Sequence, residues 1–373
     1  RADSGAAMNT IRVQAYVLGR TAVGVAAALG VLSAVIMLID LVELSRTLGG
    51  KAELSFIELL FLDTLKSPAV ILVLLPFVFL FGVMAAFASL SRRGELIAMR
   101  AAGVSAWRFL TPAAAAAFLV GVVTVAALNP AAAALNGRFE DRRAALSGDA
   151  AGAAGGDIWL RQGDDREQIV IHARAHDTVG QTLHLTGVSL FVQNVGPDGA
   201  LAFSRRIEAA RAVLLPGYWK LTDVREAVPG SGTTRSEQML APSTLDHRTA
   251  METFASPGAI AFWDLPATIH SANLAGYSAA PYRLRLQQLL ATPLMFAAMA
   301  MLAGAFSLRL MRLGDFARVA AIGVALGFGV FFLNQFCGAL GSKGEIPASL
   351  AAWTPPLLAL LCGVTLLCYT EDG

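Results

Sequence analysis

Six stretches of this chain carry no charged residue over lengths that fit a bilayer: Thr21–Ile39, Ser67–Ser91, Phe109–Gly137, Leu286–Leu308, Val319–Ser342 and Ile346–Thr370. About 20 apolar residues in a helix cross the roughly 30 Å hydrocarbon core. Each run is therefore expected to span a membrane. The polar interval between the third and fourth runs is much longer than any other connection, which divides the chain into three helices, an inserted domain and three more helices. Composition agrees, with 55% hydrophobic and only 15% charged residues and a mean hydropathy of +0.59.

The position of the charges sets the expected orientation. Arg12, Arg20, Arg92, Arg93, Arg100, Arg108, Arg309, Arg312 and Arg318 fall on one side of the six runs. The opposite short loops hold only Arg46, Lys51, Lys66 and Lys343, offset by Glu43, Glu53, Glu58, Asp63 and Glu345. Basic residues in short loops are retained in the cytoplasm, so both termini are expected there and the large insertion outside. The first run lacks a small-residue cleavage site and is followed by Asp40 and Glu43, so it is expected to remain as an anchor. Residues before Met8 read as an upstream extension and carry no weight in the fold argument.

The inserted segment, taken as residues 139–281, changes period from helical to two after Gly156. Ile158 and Leu160, Ile169 and Ile171, Leu183 and Leu185, and Val188, Leu190 and Val192 alternate with more polar neighbours, the mark of half-buried strands. Pro197-Asp198-Gly199, Pro216-Gly217 and Pro229-Gly230-Ser231-Gly232 separate them as turns. An all-β sandwich or jellyroll-like domain is expected, entered through the Gly/Ala-rich Ser147–Gly156 lead-in. It is left through a connector, Met251–Pro281, whose Phe262-Trp263-Asp264-Leu265-Pro266 begins an interfacial helix. All three cysteines lie in apolar runs, so no disulfide holds this domain.

The chemistry of enzymes is missing from the pattern. There is no H-E-x-x-H, no G-x-S-x-G and no P-loop. His172 and His176 lie four apart on an expected strand, where side chains on one face stand well separated, so no metal site is assigned and no cofactor. Lys and Arg form no polybasic block, and the net charge of +2 gives no reason to expect nucleic acid. Charge-free spans also argue against an ion-coupled carrier. Energy for any transport would come from another subunit.

The most specific segment lies between the second and third runs, Arg93-Gly94-Glu95-Leu96-Ile97-Ala98-Met99-Arg100-Ala101-Ala102-Gly103. It reads as a short helix over 94–102, within a loop of about 91–105, that lies across the cytoplasmic ends of two spans. Here the chain resembles the permease family of the lipopolysaccharide exporter, the paired LptF and LptG proteins, which carry an S/R-x-E-L-x-A-x-R/Q-A-x-G element. The likeness extends over the six spans (9–138 and 282–373), the inserted β domain, the Trp219-Lys220-Leu221 strand and the closing Ile346-Pro347-Ala348 to Trp353-Thr354-Pro355 segment. Leu38-Ile39-Asp40-Leu41 and Ala352-Trp353-Thr354-Pro355 are more similar to LptG, although the lysine that some LptG members place early in the second helix is absent at Ala69, with Lys66 one turn earlier.

The resemblance implies a bacterial inner-membrane permease subunit of an ABC-type exporter. Such a subunit extracts lipopolysaccharide and passes it to a periplasmic bridge. The implied partners are an LptF-like paralogue, an LptB-like ATPase dimer, an LptC-like single-helix protein and an LptA-like bridge. Residues 92–103 become the coupling element, with Arg92, Arg93 and Arg100 in it, Glu95 toward basic or polar groups of the ATPase, Leu96 and Met99 packed into its groove and Gly103 ending the helix; the alternative is a solvated loop whose arginines only set topology. Asp40, Lys66, Arg283 and Arg285 lie at the exported side, where cations meet lipid phosphates or simply snorkel. Phe328, Phe332 and Phe336 form one stripe on the fifth span that serves either acyl chains or helix packing. Rival readings from the residues alone are an ATP-driven extractor of another lipid or lipoprotein, a non-transporting scaffold for envelope assembly, and a membrane enzyme.

Overall fold

The computed structural model describes residues 2–48, 55–146, 158–163, 167–179, 182–196, 201–230, 232–243, 260–274, 278–310 and 316–371. The Ser147–Gly156 lead-in, the Pro197-Asp198-Gly199 turn, Ser231, His247, Arg312 and the start of the connector lie outside the described residues.

Each of the six charge-free runs is a helix long and apolar enough to cross a membrane. In chain order they are α1 (Ala2–Leu48), α2 (Phe56–Arg92), then the short α3 (Glu95–Ala101), α4 (Ala106–Val123) continued by α5 (Asn129–Leu146), and, after the sheet and α6 (Leu265–Leu274), α7 (Ala280–Leu310), α8 (Phe316–Lys343) and α9 (Ala348–Glu371). A capping box starts α2: Glu58 N–H donates to Ser55 Oγ and Ser55 N–H donates back to Glu58 Oε2, at 3.3 and 2.9 Å, which satisfies two backbone donors that the helix cannot. The third span does not stop where its apolar run ends at Gly137. It stays helical to Leu146, eight residues into the segment assigned to the β domain. No proline or glycine breaks it after Gly137, and Phe139 is buried with Leu44, Leu59 and Leu62.

α7 is the centre of the bundle and packs on α2, α4, α8 and α9. Phe296 of α7 meets Phe79 of α2 at 5.0 Å, and Phe87 of α2 meets Phe109 of α4 at 6.0 Å. α1 is different. Its buried residues are Val17 and Thr21 near one end and Leu44 near the other, with none between them.

The inserted domain is a six-stranded antiparallel sheet in nearest-neighbour order: β1 (Ile158–Gly163), β2 (Glu167–Val179), β3 (Thr182–Val195), β4 (Leu201–Leu215), β5 (Tyr218–Ala227) and β6 (Thr233–Pro242). The expected two-layered character comes from one sheet rolled on itself. Laid flat, β1 and β6 would stand about 24 Å apart, five steps of about 4.8 Å. Instead Gln162 of β1 is buried against the last two strands. Trp219 Nε1 and Ser243 Oγ both donate to its Oε1, at 3.1 and 2.9 Å, and its Nε2 donates to the Pro242 carbonyl at 3.0 Å.

The corner that allows this roll is visible in the register. Pairing skips Arg174 and Gly187 between β2 and β3, Gly187 and Ala210 between β3 and β4, Ala210 and Asp223 between β4 and β5, and Asp223 and Glu237 between β5 and β6. These residues form one continuous row across the sheet. Gly187 and Asp223 have positive φ, 64° and 53°, a conformation glycine adopts freely and aspartate tolerates. Missing ladder bonds along one line let the sheet fold there, and Leu160, Ile171, Leu185, Leu190, Trp219 and Leu221 fill the inside.

Replacing Gln162 by leucine removes the acceptor for the buried Trp219 N–H and the half-buried Ser243 hydroxyl, and the donor to the Pro242 carbonyl. Each unsatisfied group costs about 1–3 kcal/mol, so Gln162→Leu should loosen the roll by about 2 kcal/mol or more, read as faster cleavage of the sheet domain in limited proteolysis of the whole protein.

Candidate functional site

Two features of the bundle stand out, the short helix α3 and a polar-lined cavity among the spans. The first is α3. Gly94 (φ 72°) and Gly103 (φ 79°) turn the chain sharply into and out of a seven-residue helix, too short to be stable alone. Its stability comes from Leu96, which is buried in the bundle core, with Met99 packed beside it. The structure places Leu96, buried, and Met99, half-buried, against this chain's own core. Both face inward because the stripe that is apolar by helical spacing is the one the chain itself covers. What α3 turns outward is Ile97, 69% exposed, with Ala98, Ala101 and Ala102, flanked by exposed Arg92 and Arg93.

Polar side chains tie α3 and its flanks to the first and last spans. Tyr16 of α1 donates to Glu95 Oε2 at 2.8 Å, and Arg20 Nε donates to the Tyr16 oxygen at 3.1 Å. Gln14 Nε2 donates to the Arg108 carbonyl at 3.0 Å. Arg100 Nη2 donates to the Thr370 carbonyl at 3.1 Å, at the C-terminal end of α9, where a cation meets the negative end of the helix dipole. Glu95 and Arg100 are thus internal connectors in this chain.

The second feature is a cavity of about 190 Å³ among the helices, lined by Asn129 and Asn136 of α5, Arg285, Gln288 and Thr292 of α7, and Asn334 of α8, with apolar walls from α2 and α9. Arg285 Nε and Thr124 Oγ1 are buried there without a hydrogen-bond partner among the described residues. A guanidinium lining a cavity in an otherwise apolar bundle is costly unless it is paired, hydrated or bound to a ligand. The remaining residues singled out from the sequence lie elsewhere. Lys66 Nζ donates to Asp40 Oδ1 at 2.9 Å, joining α1 to α2, while Asp63 is fully buried with both carboxylate oxygens unpartnered among the described residues. Arg283 is exposed and donates to Asn273 of α6 at 3.1 Å. Phe328, Phe332 and Phe336 form a stripe on the outside of α8, away from the cavity, whereas neighbouring Phe331 turns inward to Phe77 at 5.9 Å. His172 stacks on Trp159 of the next strand, ring centres 4.3 Å apart.

The cavity wall contains a device the periodicity does not reveal. Between α4 and α5 the helix widens into a π segment, Thr124–Leu128. Pro130 has no N–H, so the Ala126 carbonyl four residues earlier loses its helical partner. Trp263 of the connector supplies one, Nε1 to Ala126 O at 3.0 Å, and Phe262 N–H donates to Asn129 Oδ1 at 2.9 Å. The connector out of the sheet domain is thereby clasped onto the cavity wall. Asn129-Pro130 inside an apolar run was the available signal. Trp263→Phe keeps the ring and removes the donor, leaving the carbonyl bare at a cost of about 1–3 kcal/mol. The expected result is faster amide hydrogen exchange in 260–274 and at the π segment, with the rest of the bundle unchanged.

A family model described as "Lipopolysaccharide export system permease LptF/LptG" matches residues 15–369, nearly the whole chain. No curated protein matches.

Proposed function

We propose, from the premise that the chain belongs to the LptF/LptG family of lipopolysaccharide export permeases, that it extracts lipopolysaccharide from the inner membrane and delivers it to a periplasmic bridge, driven by ATP hydrolysis in an LptB-like dimer docked on α3. The observation that carries this reading is the outward face of α3. It offers an apolar Ile97 ringed by small residues and arginines on a helix whose opposite face is fixed into the bundle core by Leu96.

A partner that grips Ile97 and moves α3 pushes directly on α2, α4 and, through the Glu95 and Arg100 bonds, on α1 and α9. The small side chains at Ala98, Ala101 and Ala102 let a groove close over the helix, and Arg92 and Arg93 suit an acidic rim. Within the membrane, the Arg285 cavity is the point at which an anionic lipid headgroup gains most, because a charge-assisted bond there replaces an unpaired buried donor. Lys66 is neutralised by Asp40 in this state and contributes less. An LptF-like second permease completes the path on the exposed faces of α1 and α8, with LptC-like and LptA-like proteins receiving the lipid beyond the sheet domain. In this orientation α3 and both termini are cytoplasmic and the sheet is periplasmic.

Ile97→Asp places a carboxylate at the centre of the proposed contact. Loss of an interface hot spot costs about 2 kcal/mol or more, so recovery of the ATPase with the permease should fall roughly thirtyfold while the permease itself still accumulates in the membrane. Undiminished co-purification would remove α3 as the docking element.

A further inference from the structure

We propose that the cavity among the spans holds one phosphate-sized anion between Arg285 and Asn129, and that the bound anion locks the connector clasp made by Phe262 and Trp263. This deepens the reading that the Arg285 cavity receives an anionic group, and rests on that reading for the lipid as a source of the phosphate.

The lining is one-sided in charge. Among the described residues it contains the Arg285 guanidinium and no carboxylate, and its other polar side chains are hydroxyls and amides. Arg285 Nε and Thr124 Oγ1 are buried without a hydrogen-bond partner among the described residues. Asn129 is buried too, and its Oδ1 is taken by the Phe262 N–H at 2.9 Å, so what it offers the cavity is the Nδ2 donor. Donors lining one space with no negative charge beside them suit an anion, which turns unpaired groups into charge-assisted bonds. Size narrows the choice. A cavity of about 150 Å³ takes benzene, and sites that enclose drug-sized ligands begin near about 300 Å³. At about 190 Å³ this one accepts a single phosphate group, and a glycolipid headgroup enters it only by one of its phosphates.

The π segment brings these donors together. Asn129 N–H donates to the Thr124 carbonyl, five residues back. In an α-helix, side chains five apart point about 140° away from each other, whereas the wider turn lets Thr124 and Asn129 both line the cavity. Single π turns inside α-helices recur at functional sites. The same segment presents its Ala126 carbonyl to Trp263 Nε1 at 3.0 Å. A side-chain amide is planar, with oxygen and nitrogen on opposite arms, so holding one arm aims the other. An anion bound by Asn129 Nδ2 keeps Oδ1 on the Phe262 N–H, and by polarising the amide it makes Oδ1 the stronger acceptor. Bound between Thr124 and Asn129, it also fixes the turn that aims Ala126 O at Trp263. Cavity and clasp therefore support each other, and linkage requires that each strengthen the other by the same factor.

The test uses the whole permease in maltoside micelles, which carry no phosphate, with amide hydrogen exchange read by mass spectrometry. The probes are inorganic phosphate, lipid A and dephosphorylated lipid A, each against chloride at equal ionic strength. Exchange in 260–274 should slow about fivefold or more with a probe that carries phosphate and stay unchanged with dephosphorylated lipid A. Slowing by inorganic phosphate identifies a site for the free anion, and slowing by lipid A alone identifies the phosphate as the lipid's; either supports the site. Arg285→Gln should abolish the response. Asn129→Asp keeps an oxygen for Phe262 and removes the donor, so exchange without phosphate should stay near the parent's while the response is lost. Trp263→Phe should raise the phosphate Kd, measured by calorimetry, by the factor through which phosphate protects the connector. No response to either phosphate source means a hydrated cavity and overturns the proposal, as does slowing that survives in Arg285→Gln. Neither failure touches the docking of the ATPase on α3, which Ile97→Asp reports separately.

Discussion

Lipid offers helices no hydrophobic reason to associate, because acyl chains are as apolar as leucine. The bundle is held instead by close packing and by a small number of polar links, and the rest of the architecture follows from where these are placed. α7 has both: aromatic contacts with α2, and the amide-lined cavity around Arg285. α1 lies at the edge of the bundle, its middle packed on α2 through Gly24, Val25 and Leu29 and its ends tied by polar bonds.

Polar atoms inside the bundle are placed with equal economy. Pro130 releases one carbonyl, and Trp263 arrives from the far side of the inserted domain to bind it. Asn129 faces the cavity and also holds the connector. The sheet uses the same logic in reverse: a row of residues that skip pairing creates a corner, and Gln162 closes the roll with three bonds.

Much of this was legible in order of charge and period. The six charge-free runs became six membrane-length helices, the period-two segments became strands with Pro216-Gly217 at the β4–β5 turn, and Gly94 and Gly103 bracket α3. The inward face of α3 was not legible, because a seven-residue helix with Leu96, Ile97 and Met99 has more than one apolar side and spacing does not say which the chain will cover. The ion pair of Lys66 with Asp40 was missed for a related reason: 26 positions separate them, and each alone resembles an interfacial anchor.

The sequence by itself determined what must cross the bilayer and what must not, since the cost of a charge or an unpaired peptide group in hydrocarbon is large and local. It also determined where the backbone had to turn, since positive φ and a missing N–H are properties of single residues. Only the tertiary structure decided which polar groups meet. Tyr16 with Glu95, Arg100 with Thr370, Trp263 with Ala126 and Gln162 with Trp219 are separated by 79, 270, 137 and 57 positions. Partners so distant are chosen by helix crossings and sheet curvature, quantities that no local pattern encodes.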